Sequence, residues 1–249
     1  MKTISVGLIL TIPILAGCSS SPNLASRWHN ADQEPSQVTD LYLKDHNIAI
    51  GMQNDEEYLY LTIDVGERVK QRQIVSLGLT VWFDYQGGDA RRFGVRYPIR
   101  EERLPFERRQ PGSERMPDTS EIIPETSTDE IEIIGPEENK HRRLHLAETK
   151  GIAAKIENRS GTLTYSLKVP LMDNGEHEYG IGARAGSVIG LGIETGGFPP
   201  GERGGDEPGM RMGGRRGSGR APGSMPAGAF RSAREPIKFW GKVQLAKGT

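Results

Sequence analysis

The sequence predicts an all-β protein, a single antiparallel β-sandwich of about nine or ten strands. Apolar and polar residues alternate with period two in short runs from about residue 38 onward, which is the pattern of half-buried strands. Turn-forming residues separate these runs, and no segment has the periodicity of a three-turn helix. Only residues 171–176 suggest a short one. The length of 249 residues suits one sandwich with appended segments.

The first hairpin is predicted at residues 48–52 and 58–65. The second run alternates strictly, with four aliphatic side chains on one face and tyrosine, threonine and aspartate side chains on the other, because successive side chains of a strand point to opposite faces. The Asn-Asp-Glu-Glu segment between the two runs is typical of a hairpin connection. These runs therefore predict two neighbouring strands.

The next strands follow the same logic. Residues 77–85 place Trp82 and Asp84 on the face opposite the aliphatic side chains, and a turn at 86–89 leads into a run at 92–97. Later strands are predicted at residues 131–134, 152–156, 163–169, 188–194 and 237–245.

Two segments interrupt the strand pattern. Residues 100–128 are charged, proline-punctuated and aperiodic, which predicts a long loop or insertion. Residues 196–230 contain 12 Gly, 5 Pro and 5 Arg, a composition that buries too little apolar surface to offset its ordering entropy. We expect this segment to be a disordered Gly/Arg-rich loop, because residues 237–245 then return to the sheet.

The N-terminus predicts a membrane anchor. Lys2 precedes an apolar run of about a dozen residues, which is too short to span a bilayer and ends at the sequence Leu-Ala-Gly-Cys. That sequence resembles the lipobox of bacterial lipoproteins. The resemblance implies that residues 1–17 are a signal peptide and that Cys18 is lipidated, and Ser19 at the next position favours the outer membrane. Residues 18–31 then form a polar tether, and residues 32–249 form the sandwich domain.

The order of the strands resembles the family 9 carbohydrate-binding modules and the wider DOMON-like group of β-sandwiches. The likeness is carried by Trp28 and by the runs at 58–65, 79–84, 163–171 and the Gly-rich 188–194. It covers roughly residues 28–84 and 151–245. It implies a jelly-roll-like sandwich with a ligand site, for sugars or, in some relatives, for haem.

A ligand site is predicted on the strand that carries Trp82. Sugar binding needs flat aromatic faces together with carboxylates and other polar groups that bind hydroxyls. The candidate ligand-binding residues are Trp82, Asp84, Tyr85, Arg96 and Tyr97. The alternative is that Trp82 packs within the sandwich and that Asp84 caps a turn.

No cofactor is predicted, although the sequence offers oxygen ligands for a structural Ca²⁺ ion. These are the side chains of Asp45, Asn47, Asn54, Asp55 and Glu56, for which a solvated turn is the alternative. His141 and His145 have the i, i+4 spacing of a zinc helix, but they lie among strand signals and lack the glutamate of the zinc-protease motif.

These features predict a membrane-anchored, non-catalytic lipoprotein that binds carbohydrate. The alternative is a structural or assembly lipoprotein that binds another envelope protein. No serine-hydrolase or nucleotide-binding motif is present, so no enzymatic activity is predicted. The formal net charge of −1 also argues against nucleic acid as a partner.

Overall fold

The computed structural model describes residues 22–30, 39–99, 129–135, 141–196 and 235–248. Its strands are β1 (Asn23–Ala25), β2 (Arg27–Trp28), β3 (Leu41–Leu43), β4 (Ile48–Asn54), β5 (Tyr58–Val65), β6 (Leu79–Asp84), β7 (Phe93–Tyr97), β8 (Glu130–Ile134), β9 (His141–His145), β10 (Ala153–Arg159), β11 (Thr162–Pro170), β12 (Val188–Thr195) and β13 (Lys238–Gln244). One α-helix, α1 (Arg68–Leu77), connects β5 to β6.

The strands form two sheets, which confirms the predicted all-β sandwich. The seven-stranded sheet has the order β1-β13-β12-β6-β7-β8-β9, and the six-stranded sheet has the order β10-β11-β5-β4-β2 with β3 paired to β4. Neighbours pair antiparallel except at β1–β13 and β2–β4, which are parallel. Aliphatic and aromatic side chains from both sheets form one buried cluster, so the core lies between the sheets.

The alternation in the sequence decides which side chains enter this core. In β5 the burial alternates strictly, and its four aliphatic side chains are at most 2% exposed. In β6, Leu79, Val81 and Phe83 are buried while Thr80 and Trp82 remain partly exposed. The predicted inward and outward faces of these two strands are therefore confirmed.

The helix α1 differs from the prediction, which places no helix at residues 68–77. Its buried face is largely polar, so apolar residues do not recur with helical spacing. Gln71 Nε2 donates hydrogen bonds to the carbonyls of Val65 and Gly161 at 2.8 and 2.7 Å. The helix ends at Gly78, whose φ of 77° favours glycine.

The short helix predicted at residues 171–176 is absent, and this stretch is an irregular loop. Asn174 Oδ1 accepts hydrogen bonds from the backbone N–H groups of Glu176 and His177 at 2.9 and 2.8 Å. Such a side-chain-to-backbone bond competes with helix formation.

The boundary predicted between tether and domain is also wrong, because residues 23–28 belong to the sandwich. β1 pairs with the last strand and β2 pairs with β4. Between them, the Ser26 hydroxyl donates to Asn54 Oδ1 in the interior. These strands have only two or three residues each, too few to show an alternating pattern.

Other predicted segments lie largely outside the described residues. This applies to the signal peptide at 1–17, to Cys18, to the insertion at 100–128 and to all of the 196–230 loop except Gly196. Within the described ranges, no helix is long and apolar enough to span a membrane.

Candidate functional site

The outer face of the seven-stranded sheet carries two tryptophans on alternate strands. Trp82 on β6 and Trp240 on β13 both pair with Gly192 of the intervening β12. Since neighbouring strands lie about 4.8 Å apart, the two Cα atoms are separated by roughly 10 Å. Both side chains are partly exposed. We call these two indoles and Glu194 the tryptophan face.

Glycines make room for the indole rings. A Cβ atom built on Gly192 would lie 2.5 Å from the Trp240 ring, and one built on Gly94 would lie 2.7 Å from the Trp82 ring. Each indole therefore covers a glycine of the neighbouring strand, where any larger residue would displace it. Tryptophan and glycine therefore alternate across four neighbouring strands, in the order Trp240, Gly192, Trp82 and Gly94. This alternation keeps both rings against the surface of the sheet.

Glu194 lies between the two rings and links them. Trp82 Nε1 donates to Glu194 Oε2 at 3.2 Å, and Trp240 Nε1 approaches Glu194 Oε1 at 3.4 Å. Burial alone would raise the pKa of this carboxyl group. Hydrogen bonds from Arg91 and the two indoles outweigh burial, so the pKa lies below its ordinary value of 4.5. The carboxylate is therefore ionised at neutral pH.

Arg91 completes this arrangement from the β6–β7 connection. Its Nη2 lies 2.6 Å from Glu194 Oε1, and its Cζ lies 5.9 Å from the centroid of the Trp82 ring. The arginine side chain is 56% exposed and that of Glu194 only 16%. The pair thus places a solvent-facing guanidinium at the border of the indole, within cation–π distance.

Two of the five predicted site residues, Tyr97 and Asp84, are buried. Tyr97 is 2% exposed and lies in the core beside Tyr165, with ring centroids 6.0 Å apart, and burial raises its pKa to about 12. In β7 it lies on the same face of the strand as the inward-facing Phe93 and Val95. The prediction that Tyr97 lines the site is therefore wrong.

Asp84 is buried as well, with 2% exposure. Its carboxylate accepts hydrogen bonds from the backbone N–H groups of Gln86 and Ala90 at 3.0 and 3.2 Å and from Arg92 Nε at 3.0 Å. All these donors belong to the turn after β6. Asp84 therefore stabilises the turn, which was the alternative to its role as a ligand residue.

The other three predicted residues remain at the surface. Trp82 is central, as described above. Arg96 lies on the outer face, where its guanidinium binds the Leu77 carbonyl at 2.9 Å and Glu132 at 3.2 Å. Tyr85 is 45% exposed at the end of β6, and Arg92 Cζ lies 5.2 Å from its ring centroid.

Trp240, Glu194 and Arg91 are not among the residues predicted from the sequence. The signal for Trp240 was present, because period two places it opposite the inward-facing Ile237, Phe239 and Val243. Trp82 was predicted as a site residue for the same reason, because it is a tryptophan that faces outward on a strand. The pairing of β13 with β12 could not be predicted from that pattern, since residues 196–230 separate the two strands along the chain.

A second polar cluster lies beside the six-stranded sheet. Among the described residues, Glu57, Glu176 and His177 are the one group of this kind whose ligand atoms could hold a metal, lying within 4.8 Å of one another. His177 Nε2 lies 2.9 Å from Glu57 Oε1 and 3.0 Å from the Tyr58 hydroxyl. Burial and the nearby Glu57 and Asp55 raise the pKa of Tyr58. The distances from His177 to Glu57 and Tyr58 are those of hydrogen bonds.

Several of the predicted Ca²⁺ ligands bind the protein's own groups. Asn54 is fully buried and accepts hydrogen bonds from Ser26 and from the Ala246 N–H. Asp55 accepts the N–H groups of Glu57 and Tyr58. His141 and His145 lie on strand β9, as their surroundings predicted.

These features define a β-sandwich with an aromatic, charged face on one sheet. Known structures of similar architecture are family 9 carbohydrate-binding modules from Caldicellulosiruptor kristjanssonii. A complex with glucose is 8% identical with a TM-score of 0.40, covering 91% of this chain and 97% of the module. A complex with cellotriose is 9% identical with a TM-score of 0.37, covering 92% and 95%. No family model and no curated protein matches the chain.

Proposed function

We propose that this protein is a non-catalytic carbohydrate-binding lipoprotein and that it binds sugar through the tryptophan face. The observation that carries the proposal is the pair of partly exposed indoles, both hydrogen-bonded to one carboxylate between them. The indoles offer flat apolar surfaces to the C–H faces of sugar rings, and the exposed guanidinium of Arg91 offers donors to hydroxyl groups.

The tryptophan face suits recognition because its parts are fixed in advance. Gly94 and Gly192 determine where the rings lie, and Glu194 binds both indole N–H groups. Few side-chain rotations are then lost when a ligand binds, so less of the interaction energy is spent on ordering the site. The β-sheet beneath supplies a rigid base.

The test is a calorimetric titration with a panel of oligosaccharides. We expect W82A and W240A each to weaken binding roughly 30-fold, because truncation of a central tryptophan typically costs about 2 kcal/mol. The control is W28F, which changes the one tryptophan of the three that lies outside the face. No binding across the panel would contradict the proposal, as would equal binding by wild type and both alanine variants.

The membrane anchor is part of the same proposal. Lipidation of Cys18 would display the sandwich on the outer membrane, and the apolar run before the cysteine supports this.

A further inference from the structure

Two lysines flank Trp240 on the tryptophan face. Lys238 and Lys242 lie two positions before and after Trp240 in β13, so all three side chains share the outer side of the sheet. Both lysines are exposed. Their Cα atoms are separated by four strand positions, about 13 Å.

Neither ammonium group has an ion-pair partner in the described part of the chain. Lys238 is in register with Glu194, but the Glu194 carboxylate binds Arg91 and the two indoles instead. Lys242 is in register with the uncharged Gly190 and Asn23. Among the described residues, no carboxylate therefore competes with a ligand for either ammonium group.

Other cations of the same sheet are paired. Arg92 binds Asp84, Arg96 binds Glu132 and Arg143 approaches Glu130 at 3.6 Å. Around the tryptophan face the described cations are Lys238, Lys242 and Arg91. The described carboxylates are Glu194, which contacts both indoles, and Asp89, whose charge acts on Arg91. Three cations against two carboxylates leave these described groups with one positive charge, although the whole chain carries −1. Such a field attracts anionic ligands.

From these observations we infer that the tryptophan face binds an acidic glycan, a sugar chain with carboxylate or sulfate substituents. The indoles contact the sugar rings, and Lys238 and Lys242 pair with the anionic substituents on either side of Trp240. This inference rests on the proposed function and adds the chemical class of the ligand.

The test compares neutral and acidic forms of the same sugar chain. Oligosaccharides of β-1,4-glucan and β-1,4-mannan are titrated beside their C6-carboxylated and sulfated derivatives, and the emission of Trp82 and Trp240 is followed in the W28F background. We expect the acidic forms to bind more tightly, with a preference that falls as salt rises. In K238Q/K242Q the affinity for the acidic forms should fall about 2- to 30-fold, as two exposed ion pairs imply.

The matched control is K44Q/K150Q, which removes the same two charges from exposed positions beside β3 and β10 of the other sheet. It should leave the preference unchanged. Equal affinity for neutral and acidic forms would overturn the inference and leave the proposed function standing. An unaltered preference in K238Q/K242Q would overturn it too. Failure of every sugar to bind would overturn the proposed function itself.

Discussion

Two glycines determine the surface chemistry of the seven-stranded sheet. Gly94 and Gly192 have no side chain to offer a ligand, yet each lies beneath an indole ring. A residue with a Cβ atom at either position would push the ring away from the sheet. The candidate site therefore depends on two glycines, which have no side chain that would mark them as site residues in the sequence.

We expect G192A to disturb Trp240 without unfolding the protein. The new methyl group would lie 2.5 Å from the ring, so the indole must move, and overpacking of this kind costs about 1–3 kcal/mol. Urea unfolding and sugar titration measure the two effects. The control is G175A, because a Cβ atom there meets nothing within 4 Å. Unchanged sugar affinity in G192A would show that the position of Trp240 is not required.

Glu194 makes the site sensitive to acid. Its pKa is lowered in the folded protein, so the stabilisation from the ionised carboxylate is present above its unfolded pKa of about 4.5 and is lost as the pH falls through the folded value. Wild-type tryptophan emission should therefore change below about pH 4.5. In E194Q that transition should be absent. The same transition in E194Q would assign it to another group.

For single residues, the alternation of side chains along a strand predicted most inward and outward positions, with exceptions that depend on tertiary structure. Alternation correctly placed Trp82 outward and the aliphatic side chains of β5 and β6 inward. The same rule applied to β7 would have placed Tyr97 in the core with Val95. Asp84 occupies an outward-facing position of β6 and is nevertheless buried. The turn that follows β6 covers the carboxylate, and backbone N–H groups of that turn donate hydrogen bonds to it. Only the tertiary structure reveals that turn.

At the scale of elements, the long strands were predictable and the helix was not. A hydrophobic stripe identifies a strand or helix that packs on a core, but α1 buries Lys70, Gln71 and Gln73 beside Ile74 and Val75. Lys70 and Gln73 donate hydrogen bonds to the carbonyls of Glu235 and Gly196. The helix therefore stabilises the loops at one end of the sandwich through polar contacts, for which the sequence has no periodic signature.

We expect Q71A to destabilise the fold by about 1–3 kcal/mol, because the carbonyls of Val65 and Gly161 would lose a donor in a buried place. Chemical denaturation measures the change. R68A is the matched control, since Arg68 is an exposed residue of the same helix. Equal stability of the two variants would show that water replaces the glutamine amide.

At the scale of the whole molecule, the N-terminal segment connects the two sheets. β1 extends the seven-stranded sheet and β2 extends the six-stranded sheet. Cys18 precedes Asn23 by five positions, which span at most about 18 Å. If Cys18 carries the proposed lipid, the sandwich must lie close to the membrane surface, since the segment predicted as a tether up to residue 31 is partly used in strands.

The anchor is tested by detergent phase partition of the protein expressed from the full chain in bacteria. We expect wild type in the detergent phase and C18S in the aqueous phase, because acyl chains add about 0.8 kcal/mol per buried CH₂. Mass spectrometry of the N-terminal peptide identifies the modification. Wild type in the aqueous phase with an unmodified Cys18 would contradict the anchor and leave the binding site unaffected.

The central claim is that sugar binds at the Trp82–Trp240 pair, and the three indole N–H signals in a ¹H–¹⁵N spectrum test it most directly. The variants W28F, W82A and W240A assign the signals one by one. During a titration with the best-binding oligosaccharide, the signals of Trp82 and Trp240 should shift together and saturate while that of Trp28 stays in place. Saturable binding that moves neither site signal would contradict the claim.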